Sequence, residues 1–367
     1  MSPGIYQTAD YLPLLKDKKV GLVVNHTSTF GEVHLVDSLI ALGVDIQLIF
    51  SPEHGFKGDA YNGEEVADGV YKGEYPLRSL YGRSKKPSPE DMAQLDVVLF
   101  DIQDVGARFY TYISTLHYVM EAAAEAEKEV IILDRPNPNG HYIDGPVLES
   151  EHQSFVGMHE VPVVYGMTIG EYGMMINGEG WLKDEQRCSL KVIPVHHYTH
   201  DTRYVLPIAP SPNLPNERSI LLYPSLCFFE GTVISEGRGT NQQFQIFGHP
   251  KMDQTRFSFQ PVSMSSSKYP KHEGELCGGV DLSQLDPLEI RSWEQINLDY
   301  LITTYRKYAS ELDEPFFLEN NFINRLSGTS MFKEQVIGGK SVEDIRASWQ
   351  PKLEAFKLIR EQYLMYE

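Results

Sequence analysis

Four short apolar runs mark the first part of the chain: Val20 to Val24, Ile46 to Phe50, Val97 to Phe100 and Val130 to Leu133. Short continuous runs without alternation predict strands buried on both faces, as in a parallel sheet. Leu35, Leu39, Ile40 and Leu42 recur at helical spacing after the first run, and Leu116, Val119, Met120 and Ala123 do so before the fourth. The order is β-α-β, a long insertion, then β-α-β. It predicts an α/β fold built on a Rossmann-like parallel sheet, with right-handed crossovers gathering the strand carboxyl ends on one edge. Ligands of such sheets bind at that edge.

Each run gives way to polar residues: Asn25-His26-Thr27, Ser51-Pro52-Glu53-His54-Gly55, Asp101-Ile102-Gln103-Asp104 and Asp134-Arg135-Pro136-Asn137. Further on, Thr168 followed by Glu171 has the form of a capping box opening a helix over Met167 to Asn177. A strand over Leu190 to Val195 follows. Beyond about residue 200 the chain turns to proline-rich loops around PSPNLPN and YPS, with a strand expected over Arg256 to Phe259 and two helical stretches near the end. In the last stretch Ile345, Trp349, Leu353, Phe356, Ile359 and Tyr363 form a core-facing stripe after Ser341, and Pro351 is expected to kink or restart that helix near Gln350. A length of 367 residues exceeds what one core usually serves. Two domains are expected, a Rossmann-like one over 1–200 and a second, smaller α/β one over 201–367 that completes a cleft.

Charge narrows the partners. With 32 basic against 51 acidic residues the net charge is −19, which repels nucleic acid and anionic bilayers at long range. It does not exclude a small anionic ligand, because a few arginines in a water-poor cleft dominate the local field. Cys188, Cys227 and Cys277 are widely spaced and read as free buried thiols. No apolar run is long enough to span a bilayer, and the start MSPGIYQTADYLPLLKDKK lacks the layout of a signal peptide, so a cytoplasmic location is expected of the sequence as given and a periplasmic or secreted one if the N-terminus is longer.

Glu53 stands just past a buried strand, where partial desolvation suits a general acid; a solvated loop glutamate or a helix cap is the plainer alternative. Asp101 and Gln103 face one side of an extended strand end, and Arg108, Tyr110 and Tyr112 follow at alternating spacing, a set able to clamp a carboxylate and stack on a sugar ring. Alternatively Asp104 simply neutralises Arg108. In the second half, Glu236 and Arg238 lie in SEGRGT, between glycines that permit close backbone approach or merely a tight turn.

Other chemistries find less support. His196, His197 and His200 lack a carboxylate at ligand spacing, so no metal is expected. VGLVVNHTSTFG supplies no glycine-rich phosphate turn, so no dinucleotide cofactor is expected either. VVLFDIQD is similar to the strand-end aspartate of phosphotransferases, with Asp101 as nucleophile, but Gln103 replaces the second acid.

In one collinear series, NHTS, SPEHGF with Gly58-Asp59, SLYG, FDIQDVGARFYTYI, LDRPNPNG, DGPVLE, GMTIGE, PSPNLP, FEGT and SEGRGT closely resemble the exo-β-N-acetylmuramidases. The resemblance implies a bacterial cell-wall-recycling enzyme that removes N-acetylmuramic acid from the non-reducing end of peptidoglycan fragments, with its site between a Rossmann-like domain and a smaller α/β domain. It assigns the proton donor to the glutamate of the Glu-His-Gly motif, here Glu53, and carries Asn25, His54, Asp101, Gln103 and Arg108 as matching neighbours. A lactyl carboxylate on the sugar calls for guanidinium groups, for which Arg108 and Arg238 are the candidates. The second catalytic role stays open among Asp101, Glu236 and Glu171, with Asp101 or Tyr110 serving a substrate-assisted route. A phosphotransferase using Asp101 and a non-catalytic muropeptide-binding protein are the rival readings.

Overall fold

The computed structural model describes residues 1–61 and 63–367. Twelve strands are present among them: β1 Val20–Val24, β2 Thr29–Phe30, β3 Val33–His34, β4 Ile46–Ser51, β5 Gly69–Tyr71, β6 Tyr75–Ser79, β7 Val97–Asp101, β8 Glu129–Leu133, β9 Ser189–Ile193, β10 Ile246–His249, β11 Ser258–Phe259 and β12 Cys277–Asp281. Seven form one twisted sheet in the order β5-β6-β4-β1-β7-β8-β9, parallel throughout except for the edge strand β5. Strand order reverses beside β1: the chain moves from β1 to β4 and β6 on one side, then crosses back to β7, β8 and β9 on the other.

The apolar runs form strands because each residue has a buried destination. Val20, Leu22 and Val24 face one core with Val97, Leu99, Ile131 and Leu133, covered by the helices Thr8–Leu15 and Leu35–Ala41. Val23, Val98, Phe100, Val130 and Ile132 face the other, against the helices Tyr112–Glu125 and Ile169–Gly178. Emptying one such position, Leu99→Ala for instance, costs about 2–5 kcal/mol.

The expected helix near residue 168 is Ile169–Gly178, and its Thr168–Glu171 capping box is fully formed. One expectation is corrected. The last long helix runs uninterrupted over Val342–Arg360 through Pro351. The carbonyl that loses its donor belongs to Ala347, which is exposed as Pro351 is, so water can replace the lost bond. The long insertion between β4 and β7 adds β5 and β6 to the sheet.

Beyond β9 the chain builds a small antiparallel sheet, β10-β12-β11, flanked by helices that include Glu217–Leu226 and Asp299–Tyr308. Ile246, Phe259 and Cys277 of that sheet form a small cluster of their own, while Phe247 joins the core on one face of the large sheet, where the ring of Phe109 meets that of Tyr223 edge-on at 5.1 Å. The site lies against that junction.

Candidate active site

At the carboxyl edge of the sheet, Pro52 to Gly55 leave β4 in a turn closed by Gly55 N–H donating to the Pro52 carbonyl at 3.0 Å. His54 and Gly55 both take left-handed backbone angles, φ 67° and 73°. Gly58 holds the loop down: its φ is 67°, and a Cβ there would stand 1.9 Å from His26 Nδ1, so no larger residue fits. His26 in turn bonds the Ala209 carbonyl through Nε2 at 2.8 Å, tying the loop to the second half of the chain.

This turn presents Glu53 to a cavity of about 220 Å³. Thr111, at the start of the helix Tyr112–Glu125, spends its hydroxyl on Glu53 Oε2 at 2.8 Å rather than on capping its own helix. The Gly63 N–H donates to Oε1 at 3.3 Å. Burial, and then the Glu53 carboxylate, push the Tyr81 phenol above the usual range, so it stays protonated. Burial outweighs the Glu53 carboxylate at His54 and lowers its pKa; the neutral ring donates from Nδ1 to the Ala60 carbonyl at 2.8 Å.

Opposite stand residues of the second half. Glu230, in the short 3-10 turn Cys227–Gly231, and Arg238 line the same cavity, with Glu230 Oε1 2.9 Å from Arg238 Nη2. Arg238 lies over the Phe244 ring at 5.0 Å, with its Nε 3.1 Å from Glu236 but not aligned for a hydrogen bond. Its Nη1 is buried and, among the described residues, has no partner. Burial works against its charge, but Glu230 and Glu236 outweigh burial and raise its pKa. Tyr110 and Tyr112 close the floor, both donating to the Pro210 carbonyl, at 2.8 and 3.3 Å.

Of the residues singled out in the sequence, Glu53, His54, Tyr110, Tyr112 and Arg238 reach this cavity. The others do not. Asp101 is fully buried, and Arg135 takes both its oxygens, Nε at 2.6 Å and Nη2 at 2.9 Å. That places Asp101 beneath the rim as one half of an internal ion pair, where it meets neither a sugar nor a phosphate ester. Gln103 bonds the Asp104 and Pro136 carbonyls, each at 2.8 Å, and so positions backbone, while Asn25 bonds Thr27 and the Tyr112 hydroxyl and so positions Tyr112. Arg108 is wholly buried and donates to the carbonyls of Pro146, Val161 and Leu326. It neither faces the cavity nor pairs with Asp104, which instead accepts from Gly106 N–H and the Tyr165 hydroxyl.

Glu236 stands one layer behind, held by Lys271 at 3.0 Å and by Arg238. Burial disfavours its charge, yet those two cations outweigh burial and keep its pKa below the usual carboxylate range. Glu171 is bound up with Thr168, His200 and the backbone near Met365, away from the cavity. Sequence reasoning passed over Glu230, Thr111 and Tyr81. FEGT and SLYG were visible as blocks, but spacing gives no hint that these segments meet Glu53.

Residues 20–218 match the family described as Exo-beta-N-acetylmuramidase NamZ, N-terminal, and residues 221–366 match its C-terminal counterpart. The chain belongs to the NamZ family of exo-β-N-acetylmuramidases. Across 97% of its length it is 37% identical to the peptidoglycan beta-N-acetylmuramidase NamZ of Bacillus subtilis (strain 168), of which 89% is covered. A DUF1343 family protein from Bacteroides fragilis NCTC 9343 superposes with a TM-score of 0.91 at 44% identity, covering 100% of this chain and 99% of that one. A second DUF1343 protein from the same organism gives 0.81 at 28% identity with the same coverage. Both halves of the NamZ family thus contribute to the cavity, Glu53 from the first and Glu230 and Arg238 from the second.

Proposed function

We propose that this protein is an exo-acting glycoside hydrolase that releases N-acetylmuramic acid from the non-reducing end of peptidoglycan fragments, with Glu53 as proton donor. The observation that carries the reading is the meeting of Glu53 and Arg238 across one small cavity. Family membership and the named activity of the Bacillus subtilis relative support the substrate. Among the described residues no helix is long and apolar enough to cross a membrane.

The carboxyl proton of Glu53 passes to the glycosidic oxygen as the bond from that oxygen to the anomeric carbon breaks; water adds to the carbon, and its proton passes to a second carboxylate. Glu230 fills that second role better than Asp101 or Glu236, because it lines the cavity and its other oxygen is not tied to Arg238. Two donors orient Glu53, from Thr111 and Gly63. Arg238, whose buried Nη1 has no partner among the described residues, supplies a guanidinium for the lactyl carboxylate. Tyr110 and Tyr112 offer ring faces to the sugar.

The deciding experiment offers the wild-type protein an aryl β-N-acetylmuraminide beside the matching N-acetylglucosaminide, which lacks the lactyl group. Cleavage of the muraminide alone is expected, together with free N-acetylmuramic acid from peptidoglycan fragments. Equal cleavage of both, or of neither, contradicts the assignment.

A further inference from the structure

The Glu53 cavity does not end at Tyr81. The same side chain forms a wall of a second, larger space of about 640 Å³, bounded by Arg78, Arg83 and Lys86 and by Glu65, Asp68 and Asp91. Resting on the function proposed above, we propose that this larger space is the leaving-group subsite, which holds the uncharged N-acetylhexosamine unit from which the terminal sugar is cut.

The direction follows from chemistry. A proton donor must stand beside the oxygen that departs, so the departing sugar lies on the donor's side of the scissile bond. Tyr81 lines the Glu53 cavity and also walls the larger space, so it is the partition between the two. The sizes agree with an exo enzyme, a tight pocket for one terminal sugar and a roomier one for what remains.

The lining selects a neutral polar occupant. Three cations face three carboxylates, so the lining carries no net charge to favour an ionic ligand. Arg78 is engaged by Asp91 at 3.4 Å and Asp68 at 3.9 Å, and Lys86 by Glu121 and Glu125, each at 2.7 Å. Arg83 and Glu65 are left: both are exposed to the space, and among the described residues neither has an ion-pair partner. A donor fork and an acceptor facing one space suit the hydroxyl and acetamide groups of such a sugar.

The test compares two substrates, an aryl β-N-acetylmuraminide, whose leaving group carries no sugar, and the disaccharide N-acetylmuramyl-N-acetylglucosamine. Arg83→Ala and Glu65→Gln change exposed side chains and leave the fold intact. Each is expected to lower kcat/KM on the disaccharide by roughly tenfold, mainly through KM, the effect of one lost charged hydrogen bond, while aryl hydrolysis stays within about twofold of wild type on the same reasoning. If wild type cleaves both substrates and both variants treat them alike, the subsite is overturned and the glycosidase reading stands. If wild type cleaves neither, both fall together.

Discussion

The Thr111 hydroxyl donates to Glu53 Oε2 at 2.8 Å, although Thr111 occupies the cap position of its helix. A threonine there usually serves its own helix, at a benefit of about 1 kcal/mol. Here that benefit is given up to fix a carboxyl from another strand end. Thr111→Val keeps the shape and removes the bond, and should lower kcat/KM by about tenfold through kcat. Thr111→Ser should restore most of it. Steady-state rates of both variants decide; a loss that serine does not rescue would show that the methyl group, not the hydroxyl, matters.

Arg108 should prove structural. Its guanidinium joins carbonyls at Pro146 and Val161 to one at Leu326, linking chain segments far apart in sequence, and burial lowers its pKa to about 9. Arg108→Met should cost ~3 kcal/mol or more by leaving those carbonyls unpaired. Gly328→Ala attacks the same contact, since its φ is 81° and its Cβ would stand 2.6 Å from Arg108 Nη2. Denaturant unfolding of both should show the loss, with unchanged preference for muraminide over glucosaminide in the protein that remains folded.

Asp101→Asn separates the glycosidase reading from its phosphotransferase rival. The substitution leaves Arg135 as a buried charge without its carboxylate, at a cost of about 3–5 kcal/mol. Thermal unfolding should move down sharply, and wild type should hydrolyse no phosphate ester with or without magnesium.

Acid stability should carry the signature of two buried carboxyls. Burial pushes Asp104 up to about 6, and burial together with Glu171 pushes Asp134 up to about 6. A pKa raised above the unfolded value means that the folded chain binds the proton more tightly, so this stabilisation is complete below about pH 4 and is lost as pH rises through 6. Asp104→Asn removes that share. The unfolding free energy of wild type relative to this variant should therefore fall between pH 4 and 7, by up to ~3 kcal/mol; a difference that rises over that range would contradict the assignment.

The parallel sheet was legible because its strands are buried on both faces and read as unbroken apolar runs. The capping box at Thr168 was legible because it is purely local. The edge strand β5 and its neighbour β6 were not, since they are exposed or half-buried and carry no apolar run. At the site, Glu53 and Arg238 could be picked from residue type and position. Arg108 and Asp101 could not be placed, because a guanidinium bonded to carbonyls far along the chain and one bonded to a ligand give the same sequence. Glu230 passed unnoticed for the converse reason: only the fold of the second half brings it across from Glu53.

The central claim is that Glu53 gives its proton to the departing oxygen, and leaving-group dependence measures that directly. The rates of wild type and Glu53→Gln are compared on a dinitrophenyl β-N-acetylmuraminide, whose leaving group departs without protonation, and on the disaccharide, whose leaving group needs it. The account predicts a loss of about 10²–10⁴-fold on the disaccharide, the range of general acid catalysis, and a far smaller one on the dinitrophenyl substrate. Equal losses on both substrates, or full activity of the variant on the disaccharide, would contradict it.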